Sequence, residues 1–448
     1  MVFFALIPAL VGIVVFTIIN GILTKRRNAQ KAKALNCQLP KQQANRLPLG
    51  IDHIQAFLAA MKNENFPNLA VEMFSDLGTT FEASILGGTG VFTVDEQNIQ
   101  AILATQFSDF DVGESRRRNA NPFVGSGVFT QDGKAWEHSR AMLRPQFARE
   151  QVSDLELEEK HVQNLFRVLP VPRSSDGWTE ELDIQPLFFN LTLDAAADFL
   201  LGESTNSQLS SLTSATNQSE QNREVEEFAR AFDISTLGIA TRYAFGPFSG
   251  LVFPPGWRAA NATCHRFVDG IVSRHLSRTQ YQDIKPSSPP SSASTPSKRT
   301  PYVFLHALAT STRDPLELRS QLLHILIAGR DTTAVLLGWV FFSLSRNPSI
   351  YSKLRRRILE DFGTFENCVP ESDITFKKIK ACEYLQWVLN ESLRMYPPVP
   401  WNSRVAGRDT TLPVGGGGEV QQRTKNLSRT AICDDGSGVR GYSSLAAV

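Results

Sequence analysis

The hydrophobic pattern is organised around one long stretch, Asp314 to Asn347, which reads D-P-L-E-L-R-S-Q-L-L-H-I-L-I-A-G-R-D-T-T-A-V-L-L-G-W-V-F-F-S-L-S-R-N. Asp314 is a good N-cap, Pro315 suits the first helical position, and Glu317 stands at the capping-box spacing. Asn347-Pro348 ends the run. The pattern predicts a helix of about 32 residues, roughly 48 Å long, able to cross a whole domain and gather other helices around it. Its centre breaks the apolar rule: Ala328 and Gly329 are small, and Arg330-Asp331-Thr332-Thr333 are polar. Glycine costs about 1 kcal/mol inside a helix. A carboxylate beside two hydroxyls is costly in a core unless satisfied. A membrane span is disfavoured, because Arg330 and Asp331 fall at mid-depth. A local polar network within a core helix and a reaction site are the two readings left open.

The same reading places the other elements. Val2–Leu23 is apolar apart from Thr17 and Asn20, and Lys25, Arg26, Arg27, Lys31 and Lys33 follow. About 22 residues span roughly 33 Å as a helix, enough for the hydrocarbon core. The basic flank predicts a body on the cytosolic side. Residues 1–24 are thus read as a membrane anchor and 25–50 as a basic, Pro-containing linker. The folded domain is read over 51–414. Phe81–Val94 predicts a hairpin turned at Gly87-Gly88, and Asp95–Thr105 a helix capped by Asp95. Asn119–Lys134 reads as a Gly-rich loop and Ala135–Phe147 as a helix. Further helices are expected over 151–169, 188–203, 225–239, 257–278, 349–362 and 376–396, with a polar loop over 204–220. Residues 285–300, rich in Ser and Pro, read as a flexible insertion. The fold class is therefore mostly α.

Composition narrows the function. The chain has 448 residues, 46 Lys+Arg against 45 Asp+Glu, and a net charge of +1, so nothing argues for a nucleic-acid partner. The cysteines, at 37, 264, 368, 382 and 433, are scattered and form no C-x-x-C, so neither a disulfide framework nor a zinc site is indicated. The Gly-rich loop contains G-x-G but no G-x-G-x-x-G, so it is no dinucleotide fingerprint. Trp136 and Arg140 share a helix face, as a core anchor on a solvated basic face or as an anion-binding pair. His138 has no partner at metal-ligand spacing and is expected to be structural or exposed. Glu391 and Arg394, in an apolar helix, are expected to form a buried structural pair.

A-G-R-D-T-T over 328–333 resembles the oxygen-side helix motif of the cytochrome P-450 monooxygenases. W-x-x-x-R at Trp136–Arg140 and E-x-x-R at Glu391–Arg394 resemble two further motifs of that family, in the same order. Phe188–Glu203 and Val405–Pro413 are similar to the fungal, microsomal members that hydroxylate n-alkanes and fatty acids. The resemblance covers roughly residues 1–415. It implies a helical prism with a small β region and a haem cofactor. It also implies insertion of one oxygen atom from O2 into a C–H bond. Electrons would come from NADPH through a membrane reductase, at the endoplasmic reticulum, with one span and a cytosolic body. It gives Asp331 and Thr332 proton delivery, and Ala328 and Gly329 room for cofactor and O2. Trp136, Arg140 and Arg404 receive the haem propionates, and Glu391–Arg394 a structural role. Val405–Pro413 is expected as strand and turn.

Past Gly415 the likeness ends. The haem loop F-x-x-G-x-R-x-C-x-G, whose thiolate ligates iron in the family, has no counterpart. Cys433 lies between Ala431-Ile432 and Asp434-Asp435, and two adjacent acids oppose a thiolate. It is not expected to be the ligand. Residues 415–448 are read as an aberrant tail and the family domain as C-terminally truncated. The chain as written is expected to be inactive, the rival being a non-catalytic, membrane-tethered fragment.

Overall fold

The computed structural model describes residues 19–415 except 20, 25, 36, 38–39, 64, 86–87, 149–154, 171–178, 211–219, 285–302, 365–366 and 368–372. Most of the expected anchor, the insertion 285–300 and the tail beyond residue 415, Cys433 included, lie outside the described residues. Residues 19 and 21–24 are helical and exposed. The fold is mostly helical with small sheets, as the resemblance implies, and it divides into two compact units.

The first unit comprises residues up to Asp111, Arg242–Val252 and the chain from Arg404. Strand β1 (Lys41–Gln42) pairs parallel with β2 (Thr80–Ile85), which pairs antiparallel with β3 (Gly88–Thr93) from Thr80↔Thr93 to Ile85↔Gly88. Helices α1 (Ile51–Lys62) and α2 (Phe66–Leu77) precede the hairpin. Phe81 is wholly buried between Phe74 of α2 and Phe92 of β3, with ring centroids 5.1 and 5.2 Å away. Asp95 caps α3 (Glu96–Gln100) by accepting from the amides of Gln97 and Asn98, and residues 101–105 continue as a π-turn. Buried Asn98 exchanges two hydrogen bonds with the backbone of Val414, at 2.8 and 2.9 Å. The strand expected from Val405 is only two residues long: β5 (Val405–Ala406) pairs with β4 (Phe110–Asp111). Gly407 N–H and the side chains of Arg408 and Thr410 then all turn onto Asp109, which ends the ladder.

The second unit comprises residues 112–241 and 253–403 of the described chain. Its helices are α4 (Gly113–Val124), α5 (Gly133–Leu143), α6 (Glu156–Val168), α7 (Gln185–Leu201), α8 (Ser207–Ser210), α9 (Glu220–Ala244), α10 (Trp257–Ile284), α11 (Phe304–Ala309), α12 (Pro315–Arg346), α13 (Pro348–Phe362), α14 (Phe376–Ala381) and α15 (Glu383–Met395). α9 runs three residues past the unit's edge. α12 is the expected long helix, 32 residues, capped at Asp314 by the amide of Leu316. The capping box is not closed. Glu317 instead accepts from the Thr312 hydroxyl at 2.6 Å and contacts His138 at 2.9 Å.

Leu318, Leu322, Leu323 and Leu326 of α12 are buried with Leu193 and Leu200 of α7, Phe228 and Phe232 of α9, Val268 and Val272 of α10 and Phe304 of α11. Each fully buried leucine is worth about 1.5–3 kcal/mol, so these four fix the rotation of α12 about its axis. By length and composition α12 is the one helix among the described residues able to cross a membrane. Its first half nevertheless carries this protein core. Two expectations are corrected here. The Gly-rich loop begins at Gly125, because α4 runs to Val124 with Pro122 inside it. The helix expected over 376–396 is two helices, broken where Cys382 turns to ψ 84°.

Candidate active site

The central motif lies in the fourth to sixth turns of α12. His324, Ala328 and Thr332 recur every four residues and so form one stripe. At Gly329 a Cβ would meet nothing within 4 Å, so the backbone there opens onto space that a flat group can approach. Thr332 Oγ1 donates to the Ala328 carbonyl at 2.6 Å, a back-bond one turn down the helix.

Arg330 is the buried member of the motif. Its guanidinium pairs with Asp233 of α9 and, at 3.1 Å, with Asp331. It also lies 5.2 and 5.1 Å from the ring centres of Phe189 and Phe232. Burial raises the pKa of Asp331, and the neighbouring Arg330 opposes that rise. Asp331 therefore holds a proton more readily than an exposed aspartate, beside a hydroxyl that can donate or accept. In the sequence Arg330 is one polar residue of the motif, with nothing to set its role apart. Nothing in the pattern of α9 marks Asp233 as a partner some 97 residues from Arg330.

His324 ties the Gly-rich loop to α12. The amide of Phe129 donates to Nδ1 at 3.4 Å, and Nε2 donates to the Gly125 carbonyl at 3.2 Å. The Phe129 ring stands 5.5 Å from the imidazole. Burial pushes the His324 pKa down to about 4 and keeps the ring neutral. A Cβ on Gly127 would come within 2.5 Å of the imidazole, so glycine is required for this approach. The loop thus walls α12 one turn before Ala328. His324 escaped the sequence reading because it sits inside an apolar run with no partner at short spacing.

Helix α5 carries the second motif. Ser139 accepts from Gln321 of α12 at 2.9 Å and donates to Gln131, which fixes α5 against the first half of α12. Half-buried Trp136 lies under the guanidinium of exposed Arg140, at 5.2 Å to the ring centre. This supports an aromatic platform holding a cation. His138 is exposed, as expected, and bonds Glu317.

The Glu391–Arg394 expectation is corrected. The two form a bidentate pair at 2.7 and 2.7 Å, but their side chains are 56% and 49% exposed. No described element covers that face of α15. Arg404 belongs to the first unit, where it is half-buried just before β5.

The oxygen-side residues fit a haem: an open backbone at Gly329, the Thr332 hydroxyl three residues on, and a Trp–Arg platform on another helix. The axial side does not find its ligand among the described cysteines. Cys264 is buried and its thiol is pushed up to about 12 by that burial, and Cys382 is also buried. Cys37 is half-buried in the first unit. A thiol with so high a pKa stays protonated and ligates poorly.

A helical body built around a long helix with small residues, an acid and a hydroxyl at mid-length is the layout of a haem monooxygenase. The cytochrome P450 family model matches residues 47–414. Cytochrome P450 monooxygenase g430 of Fusarium sp is 47% identical over 416 residues, covering 93% of this chain and 71% of that protein. Cytochrome P450 52A5 of Candida maltosa is 44% identical, covering 80% of this chain and 65% of that protein. Cytochrome P450 52A1 of Candida tropicalis is 46% identical, covering 75% and 59%. This chain belongs to the cytochrome P450 family, and the fungal resemblance is borne out.

Proposed function

We propose that this chain serves as a haem-dependent monooxygenase that hydroxylates n-alkanes or fatty acids at the terminal carbon. A reductase passes it electrons from NADPH, and the body works on the cytosolic face of the endoplasmic reticulum. The observation that carries this reading is the arrangement on α12: open space at Gly329, Asp331 with a raised pKa, and Thr332 one residue further. The similarity to two yeast proteins named cytochrome P450 52A supports the fungal assignment. Haem, when bound, supplies oxygen activation.

The chain's own residues do the rest. Ala328 and Gly329 give the cofactor and O2 room. Asp331 takes protons from solvent and passes them to the Thr332 hydroxyl, which leaves its bond to the Ala328 carbonyl to deliver them. Positioned proton transfer is typically worth about 10²–10⁴-fold. Trp136 and Arg140 would hold a propionate by charge-assisted hydrogen bonds, and Arg404 is the further propionate-binding arginine that the resemblance gives. The test is Thr332→Ala in protein supplied with haem and reductase. NADPH consumption should continue while peroxide replaces alcohol; unchanged coupling of NADPH to alcohol would falsify the relay.

A second reading is a non-catalytic, membrane-tethered protein without thiolate ligation. The protonated, buried Cys264 and the poor flanks of Cys433 favour it. Iron spectroscopy of the haem complex separates the two, since only the first reading requires a sulfur ligand.

A further inference from the structure

A cavity of about 510 Å³ lies away from the α12 motif, where the C-terminal end of α7 meets α10 and α11. That volume falls within the range of about 300–1,000 Å³ usual for small-ligand sites. Its floor is apolar. Leu201 and Ile271 are buried, and Val303 and Ala307 complete the wall. Gly202, at φ +73°, turns the chain at the end of α7, and a Cβ there would touch Val303. Its rim is cationic. Arg274, His275 and Arg278 come from α10 and His306 from α11, with the two imidazoles edge to face at 5.5 Å. The one carboxylate on the rim, Glu203, is already held by Arg274 at 3.1 Å.

The rim is therefore short of negative charge. Arg278 has no carboxylate within salt-bridge distance among the described residues. The His275 pKa is lowered first by burial and then by the nearby charges of His306 and Arg278. A rim that sets Arg278 and two imidazoles beside the Arg274–Glu203 pair, over an apolar floor, suits an anion with an apolar body. Arginine is the side chain best shaped to hold a carboxylate or phosphate head.

We propose that this cavity binds a small amphiphilic anion, its carboxylate or phosphate head on Arg274, Arg278 and His306 and its short apolar body against Leu201, Ile271 and Val303. The site is separate from the oxygen-side motif and needs no haem. Titration calorimetry of the full chain with hexanoate, hexyl phosphate, inorganic phosphate and hexanol tests it. Both hexyl anions should bind saturably, inorganic phosphate about tenfold more weakly, and hexanol not at all. The stronger of the two hexyl anions identifies the head group. Arg278→Gln should weaken hexanoate by about tenfold, in line with loss of one charge-assisted contact. Its side chain is exposed, so the unfolding midpoint should stay put. Arg357→Gln, an exposed arginine on α13, should leave binding unchanged. Hexanol binding as tightly as hexanoate, or Arg278→Gln binding hexanoate like the parent, would overturn the proposal.

Discussion

At the scale of single residues, buried polar groups decide what α12 can do. His324 titrates at 6.5 when free and at about 4 in the fold, so the folded state refuses its proton. Its contribution is full above pH 6.5 and is lost as pH falls from 6.5 toward 4, roughly 3 kcal/mol in all at 1.36 kcal/mol per pH unit. Urea midpoints at pH 7.5 and 5 should show about 2 kcal/mol of this loss in the parent and a much smaller one in His324→Gln. Asp331 carries the opposite sign. Its folded pKa lies above 3.8, so ionising it disfavours the fold as pH rises past 3.8. Asp331→Asn should raise the midpoint at neutral pH and leave it unchanged in acid below pH 3.8. These residues were unevenly legible in the sequence. Asp331 and Thr332 stood out as polar groups in an apolar run. His324, in the same run, did not, because its partners Gly125 and Phe129 lie nearly 200 residues away.

At the scale of elements, close approach between helices sets the tolerance to change. Gly238 of α9 faces the buried Trp257 of α10, and a Cβ there would lie 2.0 Å from its ring. Trp257 Nε1 donates to the Ser235 carbonyl at 3.1 Å, so the ring cannot easily withdraw. Gly238→Ala should therefore lower stability by about 1–3 kcal/mol, the usual cost of overpacking, as read from denaturant midpoints. The exposed Glu391–Arg394 pair should behave differently. Glu391→Gln should cost no more than about 1 kcal/mol, the range for surface ion pairs. A loss of several kcal/mol would show that the face is covered in solution. The helices were legible where periodicity was strong, as in α7 and α12. They were misread where a local turn overrode it. Cys382 splits the run over 376–396, and α4 extends into residues that glycines and asparagines had marked as loop.

At the scale of the whole chain, the two units hold different parts of the expected machinery. The second unit carries α12, the Trp136–Arg140 platform and the His324-pinned loop. The first carries Arg404 and the small sheets. Family membership was legible because W-x-x-x-R, A-G-R-D-T-T and E-x-x-R occur in that order, and context made each specific. The cationic cavity beside α7 was not legible, since its arginines and histidines come from separate helices with no motif joining them. The roles given to α12 depend on haem lying against the Ala328–Gly329 backbone. The most direct measurement is haem titration of the full chain beside Gly329→Val. A Cβ at that position meets nothing within 4 Å, and valine is the better helix former, so the variant should unfold at or slightly above the parent's midpoint. If haem rests there, Gly329→Val should bind it at least about tenfold more weakly, a penalty of some 1.4 kcal/mol for filling the cofactor's space. Equal haem affinity in the parent and a normally folded Gly329→Val would contradict the account.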